Sequence, residues 1–170
     1  MTVTIRSLNA TDSDAASAVI NTAARWYEEF LSPEELHDPE MTPEQWGAEA
    51  QRMTWYGAFE RDTLIGVAGL EYVKDVVLFR HCYVLPQQQR FGVGSLLTRH
   101  LENEVHGVQR IVIGTYAANY QAGGALEKMG YHLSHDSLAV LRSYYSIPED
   151  RLLSSVTYEK EIGRAKRNSV

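Results

Sequence analysis

The sequence predicts one mixed α/β domain, a sheet of about six to seven strands flanked by four to five helices. Three observations predict it. Apolar residues recur at helical spacing before Met53 and in β-rich runs after it, and the two patterns then alternate. The stretch Asp75–Val105, DVVLFRHCYVLPQQQRFGVGSLLTRHLENEV, passes from an apolar run through Pro86 and a glycine loop into an amphipathic helix. The short run RIVIGT, Arg110–Thr115, has the composition of a buried parallel strand.

Taken in order, Val3–Arg6 reads as a first strand. Thr11 or Asp12 can cap a helix to about Phe30, with Ala15, Val19, Ile20, Ala23 and Tyr27 on one face. The segment LSPEELHDPEM is a polar, proline-bounded loop. Thr42, Pro43 and Gln45 form a capping box with proline at the first helical position, starting a helix to about Met53. Trp55–Glu60 and Leu64–Val73, joined by RDT, read as a hairpin. Val76–Leu85 is the next strand, Val93 to about His106 a helix, and Gln121–Met129 a helix stopped by Gly130. Tyr131–Ser134 is short and extended, Asp136–Tyr145 is helical, Pro148 breaks it, and Leu153–Lys160 alternates as a last strand. Residues 1–170 contain no repeat and no linker, so they are expected to form a single domain, with a loose tail from about residue 162.

Composition narrows the function classes. The chain of 170 residues is 44% hydrophobic and 22% charged, with a net charge of −6. That charge argues against a nucleic-acid partner and favours a cationic or neutral substrate over an anionic one. No apolar run is long enough to span a membrane, and the N-terminus lacks the pattern of a secretory signal. The one cysteine, Cys82, lies in an apolar strand and is expected to be a buried small hydrophobe, which fits a reducing cytoplasm. The six histidines show no metal-ligand spacing, and neither a GxSxG elbow nor a Walker-type loop is present.

The chemistry concentrates in QRFGVG. A strand-to-helix turn with glycines at 92 and 94 leaves backbone N–H groups unpaired at the positive end of a helix. Such a turn suits phosphate oxygens, and glycine lets the backbone approach them without a Cβ. The residues from Gln89 to Ser95, with Arg90, Phe91, Gly92, Val93 and Gly94 between them, are therefore read as binding an anionic cofactor.

At this point the chain resembles the GNAT superfamily of acetyl-CoA-dependent N-acetyltransferases. The residues that carry the resemblance are Val84-Leu85-Pro86, the loop Gln89-Arg90-Phe91-Gly92-Val93-Gly94, then Asn119 and Ala122, and the pair Gly130-Tyr131. RHCYV and YYSIP also resemble a less characterised branch of that superfamily. The resemblance implies acetyl transfer from acetyl-CoA to a primary amine of a small molecule or peptide, by direct attack in a ternary complex. It implies that the backbone of Cys82, Tyr83 and Val84 pairs with pantetheine, that Asn119 belongs to the cofactor site, and that a homodimer is common.

Two departures from the family pattern stand out. Arg90 occupies a position where the family often has glycine; it either contacts a phosphate or points into solvent. Leu126 stands where a tyrosine often protonates the leaving thiolate. Another group or water must then give that proton: Tyr116 and Tyr120 are close enough in sequence to do so, or are structural tyrosines, Tyr83 is a further catalytic candidate, and a non-catalytic acyl-CoA-binding module is the alternative reading. His81 is the candidate base, with a structural histidine and a water chain in its place as the alternatives, and the family's bases commonly lie on the face that Leu78 and Arg80 occupy. His81 and Tyr83 should share one face of their strand, and Arg80 and Cys82 the other. Tyr27, Glu28 and Glu29, in an acidic region with Trp26 and Trp46, are either an acceptor mouth for a cationic amine or a solvated surface.

Overall fold

The computed structural model describes residues 2–163, which carry seven strands and six α-helices. In chain order these are β1 (Val3–Ser7), α1 (Ser13–Ala24), α2 (Pro43–Glu49), β2 (Thr54–Glu60), β3 (Thr63–Val73) and β4 (Val76–Val84). They are followed by α3 (Val93–Glu104), β5 (Arg110–Tyr116), α4 (Tyr120–Lys128), β6 (His132–Leu133), α5 (Ser137–Tyr144), α6 (Glu149–Ser154) and β7 (Ser155–Glu161). This is the mixed α/β class expected. Apart from Ile162 and Gly163, the expected tail lies outside the described residues.

Contacts divide the chain into two compact units. One comprises the described residues up to Glu71 with Phe79–Asn103; the other comprises Tyr72–Leu78 with the described residues from Glu104 onward. The strand order is β1-β2-β3-β4 in the first and β4-β5-β7-β6 in the second, β4 contributing to both.

In the first unit, β1 pairs antiparallel with β2, and β2 with β3, with a register shift between Ala58 and Phe59. The hairpin turns through Arg61 at φ 55°. The helix expected from Thr11 or Asp12 to Phe30 is split: a 3-10 turn at Ala10–Asp12 precedes α1, and a second, Arg25–Glu29, follows it. The cap is Asn9. Its Oδ1 accepts from Thr11 N at 3.0 Å, while the Asp12 carboxylate accepts from Asn9 N at 2.9 Å. The buried face of α1 is Ala16, Ser17, Val19, Ile20, Ala23 and Ala24; Ala15 is exposed. The Thr42 capping box forms as expected, with Gln45 N donating to Thr42 Oγ1 at 3.1 Å and Thr42 N donating to Gln45 Oε1 at 2.8 Å. Helix α2 closes at Glu49 rather than Met53. Behind it, Trp46 and Trp55 stack at 5.3 Å and 19°, and they pack with Ala16, Ile20 and Val67. Trp46 is 1% exposed, so it belongs to the core and not to the wall of an acceptor mouth.

In the second unit, β7 pairs antiparallel with both β5 and β6. The residues before β7 depart from expectation: Leu153 and Ser154 finish α6 instead of opening the strand. Pro148 precedes Glu149 and Asp150, two carboxylates in the first turn that favour a helix start. Val76, Leu78 and Val112 form a small core against Val140, Tyr144 and Tyr145. No helix among the described residues is long and apolar enough to cross a membrane.

Candidate active site

The site is assembled in the first unit from β4, α2, the 3-10 turn after α1 and the loop that enters α3. Its centre is an irregularity in β4. His81 has φ 55°, a left-handed value inside a strand. For a residue other than glycine this conformation is costly, and the surrounding structure must hold it.

One consequence is that Arg80 and His81, neighbours expected on opposite faces, reach the same carboxylate. Arg80 Nη2 lies 3.9 Å from Glu49 Oε1, and His81 Nε2 lies 2.7 Å from Glu49 Oε2. Both atoms of the His81 contact are buried, and neither has another hydrogen-bond partner. Arg80 Nη1 also donates to Glu71 Oε2 at 3.3 Å, and Arg52 lies 3.8 Å from Glu49 and 3.7 Å from Glu71. Burial works to raise the Glu49 carboxyl. The His81 contact and the charges of His81, Arg80 and Arg52 outweigh it and hold the group below the usual carboxylate range. Glu49 is thus charged at neutral pH.

The His81 ring stacks on Trp55 at 5.4 Å and 28°, and on Tyr83 at 6.5 Å and 17°. His81 and Tyr83 therefore share a face, as alternation predicts. The Tyr27 hydroxyl donates to the Tyr83 hydroxyl at 3.0 Å, joining the acceptor candidate to the catalytic candidates. Cys82, expected buried, is exposed as a residue, because the end of β4 beyond Phe79 is not covered as its beginning is, yet burial of the sulfur pushes the thiol up to about 11 and keeps it uncharged at neutral pH. Glu28 and Glu29 are exposed, and Glu29 accepts from Trp26 Nε1 at 2.9 Å.

The glycine loop has the conformation that an anion site needs. Gly92 has φ 79° and Arg90 φ 74°. A Cβ at Gly92 would meet nothing within 4 Å, and one at Gly94 would meet only Val84 Cγ2 at 3.9 Å. Packing within the protein therefore does not demand glycine at 94. The first helical bond here runs from Leu96 N to Gly92 O at 2.9 Å, so the amides of Val93, Gly94 and Ser95 lie in the turn without helical acceptors. Phe91 is 65% exposed. Gln89 is used within the protein: its Nε2 donates to Val84 O at 3.1 Å and ties the loop to the end of β4.

The remaining candidates lie in the second unit. Asn119 caps α4, its Oδ1 accepting from Ala122 N at 3.1 Å. Tyr120 is 85% exposed. Leu126 is half-buried in α4. Two features of the site carry no sequence signal. Glu49 is 32 residues from His81, and no motif links them. The aromatic bed of Trp55 beneath the imidazole follows only from the packing of β2.

A strand that leads through a left-handed glycine loop into a helix, beside a histidine and two tyrosines, defines a candidate acyltransferase site. The acetyltransferase (GNAT) family model matches residues 20–131, and the chain belongs to this family. No curated protein matches the chain. Among solved structures, it is similar to PaiA N-acetyltransferase from Thermoplasma acidophilum in complex with coenzyme A (TM-score 0.72, 17% identity, 95% of this chain and 99% of that one). It is also similar to the ribosomal-protein-S18-alanine N-acetyltransferase from Escherichia coli (TM-score 0.70, 20% identity, 99% of each chain). An acetyltransferase from Streptococcus agalactiae has a TM-score of 0.74 at 16% identity, covering 94% of this chain and 98% of that one. At these identities the likeness is one of fold.

Proposed function

We propose that this enzyme transfers an acetyl group from acetyl-CoA to a primary amine of a small molecule or peptide, by direct attack in a ternary complex. The observation that carries the reading is the loop Gln89–Ser95. Its left-handed Gly92, its unfilled space at Gly94 and its first-turn amides fit a pyrophosphate at the start of α3. When bound, acetyl-CoA supplies the activated thioester carbonyl.

The chain's own residues carry out the rest. Amides of residues 92–95, assisted by the Arg90 guanidinium, hold the diphosphate. His81 takes a proton from the incoming ammonium, leaving a nucleophilic amine. The C–N bond forms as the C–S bond breaks, and the sulfur departs needing a proton. Tyr83 gives it, a reading supported by its partner: a hydroxyl that accepts a hydrogen bond from Tyr27 is a better donor in turn. The nitrogen of the adduct loses a second proton to solvent, Tyr83 regains its own from there and His81 releases the one it took, so of the two protons the ammonium gives up one ends on the thiol and one in solvent. The acidic run at Glu28 and Glu29, next to Tyr27, favours a cationic acceptor.

The test has two parts. Saturating CoA should raise the melting temperature, and acetyl-CoA should release free thiol with at least one member of a panel of primary amines. No thermal shift with CoA overturns the reading. A thermal shift without thiol release across the panel supports the non-catalytic module instead, the reading that Leu126 favours.

A further inference from the structure

Removing a proton from an ammonium requires a base whose own protonated form is stabilised, and whose accepting nitrogen faces outward. In a histidine both properties depend on what the other ring nitrogen touches. Here Nε2 is buried, while the side chain as a whole keeps 18% exposure. The accessible edge of the ring is therefore not the Nε2 edge.

We propose that Glu49 is a positioning residue for His81: its carboxylate, 2.7 Å from Nε2, keeps the proton of the neutral ring on that nitrogen and leaves Nδ1 as the one that accepts. This rests on the reading of His81 as the base. Glu49 is itself fixed from two sides, by Arg80 on β4 at 3.9 Å and by Arg52 at 3.8 Å. Glu71 on β3 balances both arginines, at 3.3 Å from Arg80 and 3.7 Å from Arg52. The groups facing the imidazole are thus the Glu49 carboxylate, the Arg80 guanidinium and the Tyr83 and Trp55 rings, with Glu71, Arg52 and Tyr27 one step behind them. The left-handed backbone at His81 serves this geometry. A regular pleat would send residues 80 and 81 to opposite faces, and one carboxylate could not meet both.

A carboxylate against the far nitrogen favours the protonated ring once a proton has been taken up, and removing its charge weakens the base. The Glu49→Gln enzyme should lose at least about tenfold in kcat/KM with a fixed amine, within the range a general base contributes. The rising limb of its pH profile should move to lower pH. The acceptor's own titration is the same in both enzymes and cancels in the comparison. Glu49→Asp keeps the charge at a shorter reach, so its limb should stay in place while its rate falls.

Nitrogen-15 spectra of the wild-type imidazoles provide a measurement that needs no variant at Glu49. His81, assigned by its absence in His81→Gln, should be the Nε2–H tautomer. An Nδ1–H tautomer, or a Glu49→Gln profile whose limb does not move, overturns the proposal. A His81→Gln enzyme with undiminished kcat/KM refutes instead the reading of His81 as base. The two failures are therefore distinguishable.

Discussion

Arg90 and Gly92 sit two residues apart in the same left-handed region, at φ 74° and 79°, with opposite consequences. Glycine adopts this backbone freely, whereas an L side chain pays about 1–2 kcal/mol there. Gly92→Ala should therefore destabilise the protein by about 1 kcal/mol, although its Cβ would meet nothing within 4 Å. Arg90→Gly should be neutral to slightly stabilising, because relief of strain offsets the greater entropy of the unfolded chain. Denaturant titrations of the two variants test both signs. Gly94 separates folding from binding. It lies in the first turn of α3 without a positive φ, and a Cβ there would only touch Val84 Cγ2 at 3.9 Å. Gly94→Ala should leave stability unchanged or slightly improved and weaken CoA binding at least about tenfold, since one methyl at the phosphate costs more than 1.4 kcal/mol. Calorimetry with CoA beside a thermal melt decides it; unchanged affinity would mean that the diphosphate does not approach residue 94. At this scale the loop was legible, because glycines at a strand-to-helix turn carry a conformational meaning by themselves. The left-handed backbone of His81 was not. Nothing in RHCYV marks a residue whose φ is set by the contacts its side chain makes.

Helix starts are decided by side chains that reach backbone donors, and the ends of α2, α4 and α5 show how local that decision is. Thr42 was readable because its partner Gln45 is three residues away. Asn119 and Asp136 cap α4 and α5 in the same way, accepting from Ala122 N at 3.1 Å and Ala139 N at 3.0 Å. Asn119→Ala should cost about 1 kcal/mol of stability, the usual worth of an N-cap. If Asn119 also serves the cofactor, the variant should lose CoA affinity beyond what Asp136→Ala loses, with similar losses of stability in both. Equal CoA affinity in the two variants would limit Asn119 to capping. Elements set by neighbours in space leave a weaker mark on the sequence. Alternation starts the last strand two residues early, because Leu153 and Ser154 suit that pattern until the acidic turn after Pro148 is given its weight. Helical spacing runs the 3-10 turn Arg25–Glu29 into α1, although it is the turn that brings Tyr27 to Tyr83. The network of Glu49, Arg80, His81 and Glu71 draws on three elements. Its existence depends on packing that no spacing rule encodes.

Across the whole chain, pH sensitivity follows from which carboxylates are paired. Asp12 is held below its ordinary 3.8, chiefly by the Arg6 hydrogen bond. Glu49 and Glu159 are held below 4.5. Burial of each works to raise it and is outweighed, for Glu49 by His81 and the nearby arginines, for Glu159 by Arg110 and Ser134. A carboxyl with a depressed folded-state pKa stabilises the fold above its unfolded value, and the contribution is lost as pH falls through the folded value. Stability should hold from neutrality down to about pH 5 and fall through the range below pH 4.5. At the alkaline end the sign reverses. Burial, then the hydrogen bond to Asp75, raises the Tyr144 phenol above its ordinary 10.0, so its contribution is present below pH 10 and lost above it. Glu159 isolates one part of the acid limb. Arg110 Nη2 donates to its Oε2 at 3.0 Å, and Ser134 Oγ donates to the same oxygen at 2.5 Å. Glu159→Gln keeps an acceptor in place and removes the titration. Melting temperatures taken at intervals from pH 7 to pH 3 should fall less steeply in this variant than in the wild type. A variant curve parallel to the wild type throughout that range would show that the Arg110–Glu159 pair does not contribute to acid unfolding, and would leave Asp12 and Glu49 to account for it.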